Sequence, residues 1–128
     1  MPQDSIMGVP IREPTESEIQ FFRSRPDVPG YAAPDNSVVV SPFHKLDPDQ
    51  LRGLMLNEAT RVFMRVNKIT PNFALTPEQK KQFSTYGSIE DQRATITARA
   101  IAGDESVGKM TTEQMLFVKN LKKKLPKE

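Results

Sequence analysis

A chain of 128 residues with 37% apolar residues can form one domain, or one small domain with an arm, around a modest core. It has no Cys and a single His, which excludes disulfides, thiolate metal sites, a cysteine nucleophile and a histidine pair. The net charge of +2 hides a division: residues 1–50 carry four Lys/Arg against eight Asp/Glu (−4), and residues 51–128 carry fourteen against eight (+6).

The start, MPQDSIMGVPIREP, has neither the basic beginning nor the apolar stretch of a secretory leader, and no apolar run approaches membrane-spanning length. The expectation is a soluble cytosolic protein. Thr15-Glu16-Ser17-Glu18 is a capping box that opens a short helix through Ile19, Phe21 and Phe22, ending by Arg25-Pro26. Isolated helices of this length are marginal in water, so it needs a surface to lie on. PDVPG and APDNS are turn chemistry, with Gly30 or Asn36 able to take positive φ. Only Ser37-Val38-Val39-Val40-Ser41 reads as a strand, and it finds no obvious hairpin partner. Residues 1–46 are therefore expected to form an extended, proline-rich arm with one short helix and at most one short strand. Its apolar residues, Phe21, Phe22, Tyr31, Val38, Val39, Val40 and Phe43, are too many for a solvated tail. Either the arm wraps its own helices, or it docks on another subunit with Val38 to Val40 added to a partner sheet.

Residues 47–128 read as a body of about four helices, which makes the fold class mainly α. LDPDQ, LTPEQ and MTTEQ repeat one grammar: Asp47, Thr76 and Thr111 cap a helix start, and a Gln three residues later reaches back. Pro48 and Pro77 sit at the first helical position, where a missing N–H costs nothing. The first helix carries Leu51, Met55, Leu56, Ala59, Val62, Phe63 and Val66 on one arc, with Asn57, Glu58, Arg61 and Arg65 on a wet face opposite, and ends near Asn67. The others run from Pro77 to about Thr85, from Ser88 to Gly103, and from Thr112 to Leu125.

No catalytic chemistry stands out, and the reading is that of a non-enzyme without cofactor or metal. GDESVGKMT, Gly103 to Thr111, fits G-x-x-x-x-G-K, but Met110 stands where a phosphate loop needs Ser or Thr, and the segment before it reads as a helix end. His44 is a polar junction residue. The basic residues Arg61, Arg65 and Lys68 form one stripe, and Lys119, Lys122, Lys123 and Lys124, with Lys127, crowd the last helix. Both could meet nucleic-acid phosphate, although lysines near a helix C-terminus are favoured by the dipole alone.

The succession APDNSVVVSPF, LDPDQLRGLMLNEATRVFMR and FALTPEQKKQFSTYG, within residues 31–125, is similar to small proteins of short-tailed bacteriophages. That resemblance implies a small virion component or accessory protein, in the virion or host cytoplasm. The expectation is a structural or adaptor subunit that docks its arm on neighbouring protein subunits, with no membrane and no small-molecule substrate. The alternative is a small regulator that binds nucleic acid or a host enzyme through its basic helices.

Overall fold

The computed structural model describes residues 5–126. Its elements in chain order are β1 (Ser5–Ile6), β2 (Val9–Arg12), α1 (Glu16–Ser24), β3 (Gly30–Ala32), β4 (Val38–Val40), α2 (Pro48–Val66), α3 (Pro77–Gln82), α4 (Ile89–Ile101), a 3₁₀ turn (Glu105–Val107) and α5 (Thr112–Lys124). The expected mainly α fold with a lone strand is therefore corrected. Among the described residues five α-helices accompany a four-stranded mixed sheet of order β1-β2-β4-β3, so the fold is α/β.

Val38 to Val40 is the strand that was expected to lack a partner, and it has two. β3 runs antiparallel to it, with Tyr31 opposite Val39, and β2 runs parallel to it, with Ile11 opposite Val38. The β3–β4 hairpin is closed by the APDNS turn, in which the Asn36 N–H donates to the Ala33 carbonyl and Asn36 itself takes φ 68°. The β1–β2 hairpin turns through Met7 and Gly8, at φ 51° and 76°. Two successive positive φ values match the right-handed twist of the strands. Ile6 and Val9 flank that turn, so Pro10 falls in the next, non-hydrogen-bonded pair opposite Ser5, where its missing N–H is harmless.

Side chains of β4 alternate between two layers. Val38, with Ile6, Val9, Met55, Ala59 and Val62, builds the core between the sheet and α2. Val39 turns the other way, onto Phe22 of α1 and Ala33. The sheet is thus covered by α1 on one face and α2 on the other. Gly30 permits close strand approach: a Cβ there would lie 2.8 Å from the Val39 carbonyl oxygen and 3.1 Å from Leu54 Cδ2.

The helical part has its own core of Phe73, Leu75, Phe83 and Ile96, with Phe117 edge-on to Phe73. All five helices begin in a capping box, at Thr15, Asp47, Thr76, Ser88 and Thr111. Two of these boxes are joined. Gln79 and Gln114 are buried and exchange amide hydrogen bonds of 2.8 and 2.7 Å, while each still accepts from the backbone N–H of its own cap residue. Gln114 also donates to the Ala74 carbonyl. The clasp ties the start of α3 to the start of α5. The single arc expected on α2 is also too narrow. Besides the sheet-facing residues, Thr60 and Met64 are buried and Arg61 reaches Thr95 of α4, whereas Val66 is exposed.

Two glycine substitutions should move stability in opposite directions. Gly30→Ala should cost about 1–3 kcal/mol, because the clash is with backbone. Gly53→Ala, inside α2 with open space around an added Cβ, should gain about 0.5–1 kcal/mol. Urea unfolding at fixed pH measures both. In the clasp, Gln79→Leu and Gln114→Leu should each cost about 1–3 kcal/mol by orphaning a buried amide. The double variant should lose less than the sum, with a coupling of about 0.5–3 kcal/mol in a double-mutant cycle.

Candidate functional site

The N-terminal residues expected to dock on a partner are mostly used within the chain. Phe22, Val38 and Val39 are fully buried, Val40 packs beside the α2 core, and β4 has no free edge to offer a foreign sheet. Tyr31 is half-buried against Phe21 and Phe22, at ring distances of 5.5 and 5.7 Å. Phe21 and Phe43 remain open, at 39% and 47% exposure. Arg23 lies over the Phe43 ring at 5.5 Å, and His44 Nε2–H donates to the Pro26 carbonyl at 2.6 Å, which fixes the junction below it.

One ionic cluster holds this half together. Arg12, at the end of β2, donates from Nη1 and Nη2 to the Glu18 carboxylate at 2.6 and 2.9 Å, and from Nε to Asp35 and Ser37 at 3.0 and 2.9 Å. Tyr31 donates its hydroxyl to Glu18 at 2.6 Å, and the Thr15 N–H adds a fourth bond to that carboxylate at 2.8 Å. The Arg12 guanidinium holds Glu18 far below the usual carboxylate range, and the carboxylate pushes the guanidinium up in turn. Burial, then the Glu18 bond, pushes the Tyr31 phenol up to about 12. Ser37, which donates to Asp35 through backbone and side chain, and then Arg12, lower Asp35. Every group of this cluster has a partner, so it reads as a staple of β2, α1 and the β3–β4 turn rather than as a reactive centre.

The basic residues are placed differently from one another. Arg61 and Arg65 are bound into the fold: Arg61 donates to Asn57 and Thr95, and Arg65 donates to Asn36 and the Ala33 carbonyl. Glu58 lies 3.7 Å from Arg61, and its burial raises its carboxyl against that neighbour. With Lys68, the two arginines line a cleft of about 530 Å³ between the end of α2 and the start of α4. Its floor is Met64, Ile69, Pro71 and Ala94, and Glu90 and Asp91 stand on its α4 side.

On α5, Gln114, Val118 and Leu121 are buried, while Lys119, Lys122, Lys123 and Lys124 are exposed and form no ion pair among the described residues. Lys127 lies outside the described residues. The same helix exposes Met115 and Leu116, at 52% and 56%. Sequence reasoning passed over these two, and over Glu90. For the first two the sign was present: Met115 and Leu116 lie off the Phe117-Val118-Leu121 face at helical pitch.

Gly103 to Thr111 follows helix α4, not a strand. Gly103, at φ 76°, ends that helix, Asp104 caps the 3₁₀ turn, and Lys109 is exposed beside the start of α5. Among the described residues no group of His, Asp or Glu converges so as to hold a metal ion, and no helix is long and apolar enough to cross a membrane. Comparison of the chain with family models, with curated proteins and with solved structures gives no match in any of the three.

The ionic staple should show in the pH dependence of stability. Glu18 is depressed in the folded state, so its contribution is present above the ordinary value near 4.5 and is lost as pH falls below it. Tyr31 is raised, so its contribution is present below about 10 and is lost as pH rises through about 12. Urea midpoints should therefore fall in both limbs. Glu18→Gln should flatten the acid limb and Tyr31→Phe the alkaline limb, and unchanged limbs in these variants would count against the staple.

Proposed function

We propose that this protein is a non-catalytic structural or adaptor subunit of a larger assembly, and that it meets its neighbour through a rigid folded surface rather than a free arm. The observation that carries this reading is the outer face of α5. That helix has committed one side to the core, yet leaves Met115 and Leu116 more than half exposed directly before its lysines. Adjacent large apolar side chains in water are a hallmark of contact surfaces. Phe21 and Phe43 are the members of the N-terminal aromatic set left accessible for a second contact. The resemblance to small proteins of short-tailed bacteriophages makes a virion, or the host cytoplasm, the setting for such a role.

The runner-up is phosphate binding by the same helix, favoured by four lysines without ion pairs among the described residues. Arg61 and Arg65 contribute less to it, because part of each guanidinium is engaged within the fold and both line a cleft that also holds Glu90 and Asp91.

A photo-crosslinking residue placed at Leu116, at Phe43 and at the exposed control position Lys81, in cells producing the protein, separates these ideas. A discrete protein adduct at position 116, absent at 81 and abolished by Met115→Glu, is the expected result; no adduct, or equal adducts at all sites, rejects the subunit reading. Should nucleic acid bind instead, log K against log salt should fall with a slope of about −3 to −4 for four phosphate contacts, and Met115→Glu should leave that slope unchanged.

A further inference from the structure

The cleft between α2 and α4 has two walls of opposite charge that do not close on each other. Arg61, Arg65 and Lys68 stand on one side, Glu90 and Asp91 on the other, and no ion pair among the described residues joins them. The Lys68 and Glu90 side chains make no hydrogen bond or ion pair among the described residues at all. Asp91 accepts from the Ser88 N–H, and each guanidinium is hydrogen-bonded to two protein acceptors, Arg61 with Glu58 at 3.7 Å besides, and has further N–H groups to spare. Between the walls the floor is apolar, with Met64 and Pro71 buried. The volume, about 530 Å³, is in the range of small-molecule sites.

The chain leaves α2 through a left-handed residue: the Ile69 N–H bonds back to the Met64 carbonyl, and Lys68 between them takes φ 54°. Glycine occupies this position without steric cost, whereas lysine is strained there. Among the described residues the Lys68 side chain bonds to no other group, so nothing in the fold itself asks for a lysine there. Strain of this kind collects where a side chain is wanted for another purpose.

We propose that this cleft binds a small zwitterion with an apolar body: a hydrophobic amino acid or a short peptide with free ends. The carboxylate lies against Arg61, Arg65 and Lys68, the ammonium against Glu90 and Asp91, and the apolar side chains lie on Met64 and Ile69. A simple anion is disfavoured by the two carboxylates, and a simple cation by the three basic groups. A ligand carrying both charges at its two ends satisfies both walls.

The test uses the full chain and ¹H–¹⁵N NMR titration with leucine, leucyl-leucine, N-acetyl-leucyl-leucine and leucyl-leucine amide, each to about 10 mM, a range that detects millimolar binding. Leucine or leucyl-leucine should shift the amides of Lys68, Glu90 and Ala94, and the tighter of the two names the source. Blocking the amine or the carboxylate of the dipeptide should weaken binding about tenfold or more. Glu90→Gln should weaken leucyl-leucine while leaving the N-acetyl form unchanged. Lys68→Gly should raise the melting temperature by about a few degrees and lower affinity about tenfold. The proposal is overturned if neither free-ended ligand shifts the cleft, if the blocked forms bind as well as the free ones, or if Lys68→Gly leaves affinity unchanged.

Discussion

The fold depends on a requirement of one three-residue strand. Val38 to Val40 is apolar on both faces, and its backbone N–H and C=O groups must be paired wherever water is excluded. Meeting that requirement takes a neighbour on each edge and a layer on each face. β2 and β3 supply the edges, while α1 and α2 supply the layers. The N-terminal residues therefore have little freedom to leave. Phe22 belongs over Val39, and Ile6, Val9 and Ile11 belong over α2, because withdrawing them would strip a buried strand of its cover.

Polar clamps then fix what apolar contact leaves loose. Hydrophobic burial is non-directional and would tolerate α1 at several angles on the sheet. The fork of Arg12 onto Glu18, crossed by the Tyr31 hydroxyl, tolerates few. The paired amides of Gln79 and Gln114 play the same part between α3 and α5, where sliding would leave buried amide groups without their partners. These bonds also remove residues from the pool of possible functional groups. Arg12 and Glu18 would attract attention as isolated charges, yet both are spent within the fold, whereas Arg61 and Arg65 are anchored there but keep further N–H groups to donate.

The functional reading moves accordingly, from the N-terminal segment to the surfaces that remain open after the fold is complete. Two are distinctive: the Met115, Leu116 and lysine face of α5, and the cleft whose opposed charges do not meet. In the roles proposed above, the first meets a macromolecule and the second something small. Both stand on helices held by capping boxes, so the backbone beneath each needs no ordering at the moment of binding.

What the amino-acid sequence determined by itself was local. Each helix start was legible at Thr15, Asp47, Thr76, Ser88 and Thr111, because a cap is a bond between residues three apart. The APDNS turn, with Asn36 at positive φ, was legible for the same reason. Only the tertiary structure decided the sheet. β1 and β3 have two and three residues, too few to show an alternation, the Met7-Gly8 turn carries no Asn-Gly or Asp-Gly signal, and the β2–β4 pairing joins residues 27 positions apart, Ile11 and Val38. The cleft and the fate of the arginines were hidden likewise. Whether a charge faces solvent, a carbonyl or an opposing wall depends on which distant segment folds beside it, and spacing along one helix holds no record of that.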